Sequence, residues 1–76
     1  SLIKSKFMQV YINGETKFFP EDVLNLYQLL QLLELEPEQA GIAVALDRRV
    51  IHRQLWPTTE VFSGCQVEIV RAVQGG

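Results

Sequence analysis

The chain reads as an α+β domain: a mixed sheet of four to five strands packed on one main helix, in the order ββαβββ, ending in a flexible C-terminal Gly-Gly tail. Three observations predict it. Asn13-Gly14 separates two strand-like runs, and this dipeptide is the strongest short hairpin signal because both central residues of a type I′ turn need positive φ. Leu26, Leu29, Leu30 and Leu33 recur at helical spacing. Ile42 through Leu46 is an apolar run of strand length, and Gln66 through Val73 is rich in β-branched and apolar residues, with turn residues nearby. A hairpin, a crossover helix and further strands on one sheet satisfy the short-connection and right-handed crossover rules.

Met8-Gln9-Val10-Tyr11-Ile12 alternates, with Met8, Val10 and Ile12 on one face. Residues 1–7 before it are expected to be a tag remnant or N-terminal extension, leaving 8–76 as the single domain. Glu15 to Phe19 is the return strand, and it stops at Pro20, which cannot donate to a ladder. The helix begins after Asn25, whose side chain can accept from a free amide of the first turn. Gln28 stands where the reciprocal partner of a capping box belongs, and Leu24 and Leu29 take the two staple positions. An earlier start, near Glu21, is the alternative. The helix ends before Pro37. Its leucine stripe is read as core rather than as a partner interface. Glu34, Glu36 and Glu38 fall at its C-terminal end, where the macrodipole disfavours them; they read as a solvated turn, or else as a docking patch for a basic partner.

Ile42-Ala43-Val44-Ala45-Leu46 lacks polar alternation, so it is expected to be buried on both faces as an inner strand. Asp47-Arg48-Arg49 is a turn and Val50-Ile51-His52 a short strand. Leu55 and Trp56 must pack somewhere, and Pro57-Thr58-Thr59 breaks the chain. Val61 and Phe62 lead through the turn Ser63-Gly64 into the final strand.

Composition excludes several classes of function. Seventy-six residues make one domain, since such a chain buries only about 60–65% of its unfolded surface. A net charge of −2 and a pI near 5.2 oppose nucleic-acid binding, which needs a basic face. One cysteine makes no internal disulfide, and no apolar run approaches the ~20 residues that cross a bilayer. With no signal peptide and no membrane segment, the cytoplasm is the expected compartment. Catalytic equipment is missing too. His52 and Cys65, the single histidine and cysteine, cannot supply the ligand set of a zinc site, and no phosphate loop is present. His52 reads as a surface residue and Cys65 as a small, half-buried one.

The C-terminal Gly75-Gly76 invites a chemical reading. Glycine has no Cβ, so these two residues could thread a slot too narrow for other side chains; the competing reading is a frayed terminus.

Three stretches carry a resemblance: Gln39 through Asp47, Val50 through Trp56 with Arg53 and Trp56 in place, and Val73-Gln74-Gly75-Gly76. Over residues 8–76 the chain resembles the β-grasp (ubiquitin-like) proteins, specifically the bacterial ThiS-type sulfur carriers of the ThiS/MoaD family. Glu21-Asp22, Arg48-Arg49 and residues 1–7 are less typical of it. The resemblance implies a carrier of sulfur for thiazole synthesis, a cosubstrate of partner enzymes rather than an enzyme, monomeric when free. It implies that an E1-like, ThiF-type adenylyltransferase uses ATP and Mg²⁺ to adenylate the Gly76 carboxylate. Sulfur from a persulfide, drawn from a cysteine desulfurase or related source, then displaces the adenylate. The thiocarboxylate delivers sulfur to a ThiG-type thiazole synthase. On this reading no cofactor is bound by the chain itself. Gly75 and Gly76 keep the reacting carbon unhindered, Gln74, Val73 and Ala72 line the partner's access channel, and Val70 and Ala72, with Arg71 between them, belong to the docking surface. The alternatives are a MoaD-type small subunit of molybdopterin synthase, a ubiquitin-like modifier joined through Gly76 to lysines, and a plain interaction module of the same fold.

Overall fold

The computed structural model describes residues 7–20, 23 and 25–72. Strands β1 (Phe7–Ile12) and β2 (Glu15–Pro20) form the expected hairpin, closed by Asn13 at φ 51° and Gly14 at φ 85°. The first strand starts at Phe7, one residue earlier than the alternation indicated, because Phe7 pairs with Pro20. Pro20 is tolerated in β2 because that strand lies at the sheet edge and Pro20 is its last residue.

Helix α1 (Leu26–Leu32) begins where the sequence places it. The Asn25 side chain accepts from the Gln28 amide at 2.8 Å, and the Gln28 side chain accepts from the Asn25 amide at 3.2 Å. This reciprocal cap contributes about 1 kcal/mol to a helix too short to stand alone. Leu26, Leu29 and Leu30 are buried and Leu33 partly so. The expected staple residue Leu24 lies outside the described residues. Well before Pro37 the helix closes: Glu34, at φ 63°, donates its amide to Gln31 and Leu35 donates to Leu30, the paired bonds of a Schellman ending. Glu34, Glu36 and Glu38 therefore occupy the following loop rather than the last helical turn, which corrects the expectation.

Strands β3 (Ile42–Leu46), β4 (Arg49–Ile51) and β5 (Gln66–Arg71) complete one sheet in the order β2-β1-β5-β3-β4. Only β1 and β5 run parallel; the other neighbours are antiparallel. This is a β-grasp arrangement, with the helix on one face of a mixed sheet. The β3–β4 turn is Asp47-Arg48, both at positive φ, so Arg49 belongs to the strand. A 3₁₀ helix, η1 (Arg53–Thr58), was not anticipated; it carries Trp56 into the core at 1% exposure and accommodates Pro57 internally.

β3 is not buried on both faces as expected. β3 is inner by its hydrogen bonds but is covered on one face only: Ile42 and Val44 are buried, whereas Ala43 is exposed and Ala45 half-exposed. Alanine is small enough to sit on either face, so the run lost its alternation without gaining a second cover.

Cys65 is buried completely rather than by half. Burial pushes its thiol above the ordinary range, opposed by hydrogen bonding from backbone. A raised folded-state pKa means that this contribution to stability is full below the unfolded thiol's pKa and lost as pH rises through the folded value. Thiol titration with an aromatic disulfide should accordingly be slow in the native protein and fast in denaturant. Rapid native labelling would contradict the burial.

Candidate functional site

Interest centres on the place where β5 delivers the chain toward Val73, Gln74, Gly75 and Gly76; these four lie outside the described residues. Hydrogen bonds hold β5 on both sides. At its start the Asp47 carboxylate accepts from the Gln66 amide at 2.9 Å, and the Asp47 amide donates to the Gln66 carbonyl at 2.7 Å. Further along, the Asn13 amide donates to Val67 at 2.9 Å. The Asn13 side chain then accepts from the Ile69 amide at 2.8 Å and donates to the Ile69 carbonyl at 3.2 Å. Both turn residues are asparagine or aspartate at positive φ, which these side chains tolerate well.

On the β3 side the last described grip is Gly41. Its carbonyl accepts from the Ala72 amide at 2.7 Å. Gly41 stands at φ 86°, and a Cβ there would lie 3.5 Å from the Ala72 carbonyl and methyl group. Glycine meets the backbone conformation at this contact without strain.

The loop that supplies Gly41 is itself anchored. Arg53 donates from its guanidinium to the carbonyls of Pro37 and Gln39 and stacks 4.8 Å from the Trp56 ring centroid. Trp56 in turn donates from its indole to Ile51 at 2.9 Å. Arg53 and Trp56, singled out in the sequence for their resemblance, thus form one brace running from the core to the loop before β3.

The sheet face opposite the helix is open. On it Val70 pairs with Ala43, Glu68 with Ala45, and Ala45 with Val50. Val70 is 64% and Val50 72% exposed, so Val50, Ala45, Ala43, Val70 and Ala72 make one flat apolar area at the point where the chain leaves the sheet. A second apolar area, formed by exposed Phe7 and Phe18, lies on the far hairpin, beyond Gln9, Tyr11, Gln66 and Glu68.

The three residues expected at the docking surface do not share a face. Val70 and Ala72 point to the open side; Arg71 follows Val67 and Ile69 on the other side and is exposed past the end of the core. Sequence reading missed Phe7, Phe18 and Val50. A signal existed for one of them: in Phe18-Phe19, adjacent strand residues point oppositely, so only one can enter the core.

His52 is exposed and the Cys65 thiol has no contact with solvent. Among the described residues no group of three His, Cys, Asp or Glu converges as a metal site, and no helix is long and apolar enough to cross a membrane.

Comparison with known proteins places this geometry. The family model described as ThiS family matches residues 9–76. A crystal structure of a thiamine biosynthesis protein (ThiS) from Geobacter metallireducens is 29% identical, with a TM-score of 0.72, over 91% of this chain and all of that one. A solution structure of a thiamine biosynthesis protein from the same organism is 30% identical, with a TM-score of 0.74, over 91% of this chain and 88% of that one. No curated protein matches the chain.

Proposed function

Because the chain belongs to the ThiS family, we propose that it carries sulfur for thiamine biosynthesis as a thiocarboxylate on Gly76, acting as a cosubstrate of partner enzymes. The observation that carries this reading is the family match through Gly75-Gly76, joined to a β5 gripped on both sides next to an exposed apolar area.

The chemistry follows from what a carboxylate lacks. Its charge is delocalised and oxide is a very poor leaving group, so sulfur cannot displace oxygen directly. An E1-like partner of the ThiF type adenylates Gly76 with ATP and Mg²⁺, releasing pyrophosphate. Persulfide sulfur supplied by a cysteine desulfurase or related protein attacks the acyl carbon, and AMP departs. Reductive cleavage of the resulting acyl disulfide by a thiol leaves the thiocarboxylate, which then attacks as a nucleophile at a ThiG-type thiazole synthase. The folded body contributes recognition and a high local concentration of the tail at each partner. Val70, Ala72 and Val50 form the docking surface next to the tail, with Arg71 at its edge. Val73 and Gln74 fill the access channel, and the glycines leave the reacting carbon unhindered.

Intact-mass measurement tests this after incubation with ATP, a ThiF-type adenylating enzyme and a persulfide donor. The expected product is the chain with one oxygen replaced by sulfur. Conjugates to lysines of other proteins would establish a modifier instead, and an unchanged mass would remove the carrier reading.

A further inference from the structure

We propose that Asn13, a residue of the hairpin turn distant in sequence from the tail, is a positioning residue that sets the direction in which the chain leaves the sheet. This rests on the sulfur-carrier reading, in which the carbon of Gly76 must reach a partner's nucleotide.

The need for such a residue comes from the sheet register. β1 pairs with β5 only at Tyr11–Gln66 and Ile12–Val67, and then turns away. β5 runs on to Arg71 paired with β3. Among the described residues, the second half of β5 therefore has a strand neighbour on one side only. A strand held on one side can swing about that side, and whatever follows it swings too.

Asn13 occupies the missing position. Its carboxamide gives and takes one hydrogen bond with the same residue, Ile69, the exchange made by a hydrogen-bonded pair in an antiparallel ladder rather than by a parallel neighbour. Its own amide donates to Val67, the last β5 residue that β1 pairs, and the two side-chain bonds then hold Ile69 on the edge beyond the end of β1. The Gly41 carbonyl secures Ala72 on the opposite side. The last described stretch before the tail is thus held between Asn13 and Gly41, and Asn13 is the only one of the two that acts through a side chain.

That separates its two duties. Positive φ at Asn13 serves the turn, and glycine or aspartate would serve it equally. The grip on Ile69 needs both an acceptor and a donor, which glycine lacks entirely. Aspartate keeps the acceptor but sets a carboxylate oxygen against the Ile69 carbonyl. Asn13→Gly and Asn13→Asp should therefore fold with the hairpin intact and differ from the parent at the exit of β5.

The experiment compares the full chain and these two variants by NMR and by steady-state adenylation with a ThiF-type enzyme and ATP. The Ile69 amide should exchange roughly tenfold faster in Asn13→Gly, the effect of losing one to two hydrogen bonds. The heteronuclear NOE of Ala72 should fall in both. Adenylation should lose about tenfold in kcat with KM within about twofold of the parent, because the docking face is untouched while the reacting carbon is misplaced. Unchanged kcat in both variants, or an unchanged Ile69 exchange rate in Asn13→Gly, overturns the proposal. A raised KM with intact kcat also overturns it, since Asn13 would then belong to the docking face. Should the parent itself resist adenylation, the sulfur-carrier reading fails on its own, and the Ala72 NOE decides the positioning role.

Discussion

Removing Gly76 is expected to abolish sulfur loading while leaving the fold intact. One residue spans about 3.3–3.6 Å, so the carboxylate of a chain ending at Gly75 stops that far short of the partner's nucleotide. Misplacement by 1 Å can already cost about a hundredfold in rate, so the truncated chain should lose at least that. A C-terminal amide on the full-length chain should be inert, because it has no carboxylate oxygen to attack ATP. Gly76→Ala is the gentler probe: a methyl group beside the reacting carbon should slow loading at least about tenfold without moving that carbon. Thermal unfolding of all three should match the parent, since the changes lie beyond β5. Intact-mass kinetics reads the result. Loading of the truncated or amidated chain at the parent rate would place the chemistry elsewhere.

Trp56→Ala should have the largest effect on stability. The indole is 1% exposed, donates to Ile51, and carries the Arg53 guanidinium on its ring. Deleting a buried tryptophan costs about 3–5 kcal/mol. A domain of this size has a total stability of about 4–11 kcal/mol, so the substitution should remove between about a quarter and all of it. Trp56→Phe keeps most of the apolar volume but leaves the Ile51 carbonyl without its indole donor; it should lose about 1–3 kcal/mol. Urea midpoints measure both. A loss below about 1 kcal/mol for the alanine variant would mean that η1 is not held by its tryptophan. The functional consequence follows through the brace: Arg53 loses its platform, the loop from Pro37 to Gln39 loses its anchor, and the Gly41 carbonyl that grips Ala72 becomes less well placed.

Local chemistry makes much of this chain legible in its sequence. Asn13-Gly14 is the strongest short signal of a tight turn, Asn25 and Gln28 stand at the spacing of a reciprocal cap, and four leucines at helical spacing need a core to face. These are contacts between residues close in sequence, so residue type and spacing suffice to state them. The family resemblance and the Gly75-Gly76 pair were visible for the same reason: they are strings.

Tertiary structure alone decided the rest, wherever a residue's surroundings come from distant parts of the chain. Ala43 and Ala45 read as buried because alanine does not report which side it faces; the cover on each side of β3 is set by the helix, which packs on one face of the sheet only. Leu55-Trp56 required burial of something, but which of the two goes inward depended on the 3₁₀ turn that forms against α1. Asn13 looked like a turn residue and nothing more. Its hold on Ile69 exists because β5, far along the chain, inserts parallel to β1 and overruns its end, a register that no local pattern encodes.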